Sequence, residues 1–446
     1  MQKVIKGNII FTKEKDQFEI YKNGYIVVEN GKVILVTNEL PVIYKDIPVD
    51  DMEDQLIIPG FVDLHVHAPQ WLNTGIGYSK ELIPWLNEYT FPLESAFTNL
   101  EFAEEHYKDF IHDLWEVGTT RACIFATRHK PATKLLIKLL KESGLGAYVG
   151  KVNMDRNSSP ELIETTEQSI AETIELLQED PSLYGNLTHN TIDINPVLAN
   201  DLPLVQYILT PRFVPSTTPT LMQALGEIAQ KYHLPVQSHL SENRGEVAWV
   251  QELHPDIPSF TEVYDFYGLL QPSRTIMAHC IYNTDTEVKL LKRKNIYVAH
   301  CPQSNFNLTS GIMPLRKYLD AKISVGLGSD VGGGHVLNMT QHIIASINAS
   351  KMYYVDHPEY APLTISEAFY LATKGGGSFF GKVGSFEEGY DFDALVINDN
   401  SLQKNGTLSL VERLEKYIYT GSSQNISKRF VRGIELSCEA IKNNRS

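Results

Sequence analysis

Apolar and polar residues alternate with the short period of β-strands over the first ~55 residues of the chain. Tyr25-Ile26-Val27-Val28-Glu29 and Lys32-Val33-Ile34-Leu35-Val36 flank Asn30-Gly31, a pair that tolerates positive φ and so favours a tight hairpin. The other end has the same texture. Phe386-Glu387-Glu388-Gly389-Tyr390 leads into Asp393-Ala394-Leu395-Val396-Ile397, and Val431-Arg432-Gly433-Ile434-Glu435-Leu436 repeats the pattern. These ends predict one small β-sandwich domain built from residues 1–58 and 384–446.

The middle of the chain alternates between strand-like and helix-like stretches. Strands are predicted at 57–67, 120–125, 147–152, 204–209, 236–239, 275–278, 296–299 and 323–327. Between most of them lie helical patterns with marked starts. Ser159-Pro160 is expected to open a helix over 161–178, and Thr218-Pro219 one over 220–231, each a capping residue followed by proline at the first helical position. Eight such units predict an α/β architecture, a (β/α)8 TIM-like barrel over 59–383. An open doubly wound sheet would want a glycine-rich phosphate loop after its first strand, and none is there. Residues 181–203 read as a loop inserted ahead of the fourth strand, on the face of a barrel away from its active site.

The chain's 446 residues suit a barrel of ~250 residues or more plus an appendage. Neither a membrane-length apolar run nor a signal-peptide pattern occurs, so a cytoplasmic protein is expected. The net charge of −15 and the lack of a basic stripe argue against nucleic acid as a partner and for a small, nearly neutral substrate. Lys292-Arg293-Lys294 is expected to end a surface helix. Cysteines 123, 280, 301 and 438 contain no C-x-x-C spacing and read as small buried hydrophobes.

The chemistry enters with the residues at the strand ends. His65 and His67, two apart at the end of the first strand, point the same way and can reach one ion. His239 ends the fifth strand, His279 the sixth, and Asp330 the eighth. Barrel strands converge on a single point at their C-terminal ends. Three neutral imidazoles with one carboxylate suit Zn²⁺ with room for a water, and Fe²⁺ tolerates such a set. A zinc ion would lower the pKa of that water toward ~7. Glu242 follows His239 closely, in the loop over the site, where a carboxylate can shuttle protons.

Several segments resemble the amidohydrolase superfamily: Pro59-Gly60-x-x-Asp63-x-His65-x-His67, Ser238-His239, Ala278-His279 and Gly328-Ser329-Asp330. His300-Cys301-Pro302-Gln303-Ser304-Asn305 is similar to the aminohydrolase branch. Within that branch the chain most resembles the guanine deaminase family, in His67-Ala68-Pro69-Gln70, the stretch 85–92, Thr210-Pro211-Arg212-Phe213 and Gln237–Arg244.

The resemblance implies that His65, His67, His239 and Asp330 bind one zinc per chain, that His279 positions its water, and that Glu242 moves the proton. It implies that Gln70, Arg212 and Phe213 hold a purine, with His67, His239, Glu242 and Asp330 also against it, and that the chain is a homodimer. Arg212 stands where binuclear relatives often carry a bridging lysine, which argues for one metal. Its guanidinium fork can donate to O6 and N7 of guanine together. Trp71, Trp85, Tyr89 and Phe91 are candidates for an aromatic wall over the pocket. The competing expectations are a deaminase of another ring (8-oxoguanine, a pterin, a triazine or cytosine) and a non-catalytic scaffold. The scaffold would be expected to lack ligands or the proton shuttle.

Overall fold

The computed structural model describes residues 2–184, 202–403 and 408–437. Strands β1 (Gln2–Phe11), β2 (Glu19–Glu29), β3 (Lys32–Thr37) and β4 (Val49–Pro59) begin a sheet. The β2–β3 hairpin turns at Asn30 and Gly31, whose φ values of 49° and 80° meet the demand of a two-residue turn.

The first barrel-type sheet is parallel and contains β5 (Phe61–His67), β6 (Thr119–Phe125), β7 (Gly146–Gly150) and β9 (Val205–Tyr207). Beyond β7 and β9 the short strands β8 (Val152–Asn153) and β10 (Thr210–Pro211) pair with each other. The second parallel sheet contains β11 (Val236–Leu240), β12 (Thr275–His279), β13 (Tyr297–His300) and β14 (Ser324–Leu327). A parallel bridge at Leu209–Val236 joins the two sheets on one side. On the other, Asp330 donates its N–H to the carbonyl of His65 at 2.8 Å and His67 donates to Val331 at 3.2 Å. Most residues of these eight strands are buried, as expected for parallel sheets covered by helices.

Strands β15 (Ala394–Ile397), β16 (Ile426–Val431) and β17 (Ile434–Glu435) return to the first sheet. Its order is β17-β16-β15-β4-β1-β2-β3, so both chain ends share one seven-stranded sheet, as their matching texture predicts. The sheet has its own core, in which Ile5, Ile9, Phe11 and Val28 pack with Phe386, Phe392 and Phe430. Arg121 of β6, fully buried, ties it to the rest by bonding Asp393 at 2.6 Å and Asp391 at 3.0 Å.

Two expectations are corrected. The stretch 57–67 is two strands in two sheets, because Pro59 still pairs with Ala394 while Phe61 already pairs with Thr119. Gly60 makes the change of sheet: a Cβ there would stand 2.3 Å from Thr120 Oγ1. Nor does the helix open at Ser159-Pro160. It runs over Thr166–Glu179, with Thr165 accepting from the N–H of Gln168 at 3.1 Å. The preceding residues turn inward instead, burying Leu162 and bringing Glu164 to Lys151.

The Thr218 cap is where the sequence places it, on the helix Pro219–Lys231. Lys292 and Arg293 lie in the last turn of the helix Asp285–Arg293. Cys123, Cys280 and Cys301 are free and buried, while Cys438 lies outside the described residues. Most of the 181–203 insertion also lies outside them. Among the described residues no helix is long and apolar enough to cross a membrane.

Candidate metal centre and active site

Five predicted residues meet at the C-terminal ends of the parallel strands. β5 carries His65 and His67 on one face, β11 carries His239, β12 ends in His279, and Asp330 follows β14. The backbone turns sharply here: His279 and Asp330 have φ of 70° and 47°, and Ser241 beyond His239 has 52°. Such left-handed residues cost energy and persist where the surroundings fix them. Asp63 is one fixing element, since its Oδ1 accepts from the N–H of His65 at 3.1 Å and of Ser329 at 2.9 Å. It thereby ties the first strand to the loop that carries Asp330. Burial raises the Asp63 carboxyl to about 6.

The ring nitrogens converge. His67 Nε2 is 3.2 Å from His65 Nε2 and 3.2 Å from His239 Nε2. Asp330 Oδ1 is 3.1 Å from His65 Nε2 and 3.4 Å from His67 Nε2. Ligands of a tetrahedral Zn²⁺ at ~2.0–2.1 Å are separated by about 3.3 Å, so the spacing is that of a shared cation. The protonation states agree. His239 Nδ1 donates to the carbonyl of Arg212 at 2.6 Å, which leaves the Nε2 lone pair for an ion. Burial, followed by the charge of His65, holds His67 and His239 well below the usual histidine range. Burial alone would raise Asp330, but His65, His279 and His67 outweigh it and keep the carboxylate ionised. The residues therefore fit a divalent metal.

His279 stands slightly apart. With His65, His239 and Asp330 it offers ligand atoms within 4.8 Å of one another, yet its Nε2 is 3.7 Å from Asp330 Oδ2. Its Nδ1 donates to Asn305 Oδ1 at 2.9 Å. Among the described residues the opposite nitrogen has no hydrogen-bond partner, and it lies 3.4 Å from Glu242 Oε2. Glu242 is buried and accepts from Ser310 Oγ at 3.2 Å. Burial and the charge of Asp330 push its carboxyl well above the usual range, so it holds a proton readily.

A pocket opens over this centre. His67, His239, Glu242 and Asp330 line it together with Gln70, Arg212 and Phe213, so every residue predicted to touch a substrate faces one space. Of the proposed aromatic wall, only Trp85 lines the pocket, beside Leu82 and Leu86. Phe91 lies under the Arg212 guanidinium at 5.0 Å, Trp71 donates to Asp113 at 3.1 Å, and Tyr89 packs around Gly77.

Two carboxylates here have no counterpart among the residues singled out from sequence. Glu94, in the helix Phe91–Ala96, is buried and accepts from Arg212 Nη1 at 2.7 Å, Arg212 Nη2 at 3.1 Å and Gln70 Nε2 at 2.9 Å. Glu246 lines the pocket and accepts from the N–H of Glu242 at 2.8 Å. Burial and then Glu242 raise Glu246 to about 8. A capping-box pattern, Asn243 followed by Glu246, was the available signal for Glu246.

A model described as the amidohydrolase family matches residues 56–435. A guanine deaminase of Dictyostelium discoideum is 39% identical, the match covering 97% of this chain and 97% of that protein. A guanine deaminase of Escherichia coli (strain K12) is 33% identical over 87% of this chain and 84% of its own. Among solved structures, a guanine deaminase from C. acetobutylicum with guanine bound in its active site is 49% identical, with a TM-score of 0.91, covering 98% of this chain and 100% of that one.

Proposed function

The chain belongs to the amidohydrolase family, and we propose that it hydrolyses guanine to xanthine and ammonia. One observation carries the reading: a metal-type centre with Glu242 beside it shares a single pocket with Arg212 and Gln70. These two supply directional donors and acceptors of the kind a purine edge needs. Relatives similar to it along nearly their whole length, at 39% and 49% identity, include guanine deaminases.

His65, His67, His239 and Asp330 would hold one ion, with zinc preferred over iron(II) for a set of imidazoles and one carboxylate. When bound, it supplies Lewis acidity that brings a water's pKa toward ~7.

The protein's own groups do the rest. Arg212 donates to O6 and N7 of guanine, Gln70 meets a ring N–H, and Phe213 packs on the ring. Glu242 takes a proton from the water that adds to C2 and delivers it to N3. Asp330 accepts the second proton and returns it to the amino group, which leaves as ammonia. His279 presents Nε2 to the incoming oxygen. The balance is one water consumed and one ammonia released, with the water oxygen retained at C2 of xanthine.

The same reading takes the two four-stranded sheets as one closed (β/α)8 barrel over residues 59–383. Residues 1–58 and 384–446 then form a small sandwich domain. It also carries a cytoplasmic, homodimeric enzyme of purine breakdown. Rates on guanine, 8-oxoguanine, adenine and cytosine test the substrate. Guanine should be turned over fastest, and a preference for another ring would overturn the reading.

A further inference from the structure

The Arg212–Gln70 side of the pocket is not self-supporting. An arginine side chain has several rotatable bonds, and a glutamine amide can sit either way round. Glu94 removes both freedoms. Its Oε2 and Oε1 take Nη1 and Nη2 of Arg212 at 2.7 and 3.1 Å, a fork-on-fork pair, and Oε1 also takes Gln70 Nε2 at 2.9 Å. The same short helix supplies Phe91 under the guanidinium at 5.0 Å. Glu94 is 1% exposed and is not among the residues that line the pocket. It reaches the ligand through its two neighbours.

We propose that Glu94 is the positioning residue that fixes the donor and acceptor pattern by which the pocket reads its substrate. This rests on the guanine reading. A carboxylate only accepts, so Gln70 must turn its nitrogen toward Glu94 and its Oε1 elsewhere. Arg212 spends one N–H of each η nitrogen on Glu94 and keeps the others, with its Nε–H, for a ligand. The pocket then offers arginine donors to a ring carbonyl and nitrogen, and an amide oxygen to a ring N–H. The pair also cancels the guanidinium charge, which suits a nearly neutral base. A purine with an amino group at position 6 would confront donors with donors. Sites built around such hydrogen bonds reject the wrong partner strongly.

A glutamine at 94 breaks the pattern, because its amide nitrogen meets an Arg212 η nitrogen in either orientation, donor against donor, and at the Oε1 place meets Gln70 Nε2 as well. Arg212 must then shift off one of its two contacts, and where the nitrogen also meets Gln70, that amide turns over and shows nitrogen to the pocket where oxygen stood.

The test compares wild type, Glu94→Gln and Glu94→Asp on two purines. Guanine uses the carbonyl contacts; 2-aminopurine keeps the reacting amino group but lacks the 6-oxo group. Specificity constants are measured for both, and the inhibition constant of 2-aminopurine against guanine is measured alongside. Glu94→Gln should lower kcat/KM for guanine by ~10–10²-fold and leave 2-aminopurine within a few-fold, with bound metal unchanged. Glu94→Asp, which keeps the acceptor, should recover much of the guanine preference. Equal losses on both purines in Glu94→Gln, or a Glu94→Asp no better than it, would mean a purely structural role and overturn the proposal. A Glu94→Gln chain that does not fold leaves the decision to Glu94→Asp, whose preference must stay closer to wild type than its absolute rate does. A wild type that does not distinguish the two purines would overturn the guanine reading itself, and is told apart because it shows without any substitution.

Discussion

His279 Nδ1 donates to Asn305 Oδ1 at 2.9 Å, which leaves the Nε2 lone pair turned toward Glu242 and Asp330. Partners of this kind fix the tautomer and orientation of a metal- or water-holding imidazole, and their loss typically costs ~10–100-fold. Asn305→Ala should lower kcat by that order while metal content stays at one ion per chain, measured by turnover and elemental analysis. Full turnover in the variant would deny His279 its role beside the water.

Glu242→Gln keeps the volume and the Ser310 contact but cannot carry a proton. It should retain its metal and its affinity for guanine. Turnover should fall by ~10²–10⁴-fold, the usual worth of a positioned general acid and base. Isothermal titration and steady-state rates on the same preparation check both halves.

Glu246 gives a stability prediction with a definite sign. Its folded pKa is raised from 4.5 to about 8, so folding takes up a proton in that window. The group's contribution to stability is complete below about 4.5 and is lost as pH rises through about 8. Glu246→Gln mimics the protonated form, with one oxygen still accepting from the Glu242 N–H at 2.8 Å in the wild type. Urea unfolding at a series of pH values should show the variant gaining on wild type across this window. A difference independent of pH would contradict the shift.

Metal removal should cost stability as well as activity. Without an ion, His67 Nε2 lies 3.2 Å from the Nε2 of both His65 and His239, beside an ionised Asp330. A ligand that binds only the folded state stabilises it by mass action. Treatment with a strong chelator should therefore lower Tm, and stoichiometric zinc should restore both Tm and turnover. An unchanged Tm on complete removal would speak against a shared cation.

The metal-type centre was legible because strand periodicity and unusual residues coincide: His65, His67, His239, His279 and Asp330 all fall at the ends of apolar runs. The hairpin at Asn30-Gly31 and the cap at Thr218 were legible because each is a local rule. What local rules do not carry was missed. The continuous apolar run through residues 57–67 hides a change of sheet that only the approach of Gly60 to Thr120 reveals. Glu94 reads as an ordinary helix glutamate, and its burial depends on Arg212, 118 residues away. Ser159-Pro160 has the residues of a helix start, but burying Leu162 and pairing Glu164 with Lys151 overrode them.

Guanine turnover in heavy-oxygen water by zinc-loaded protein tests the central claim most directly. The account predicts equal yields of ammonia and xanthine, with the heavy oxygen at C2 of xanthine and none at C6. No ammonia from guanine, or xanthine without the label at C2, would contradict it.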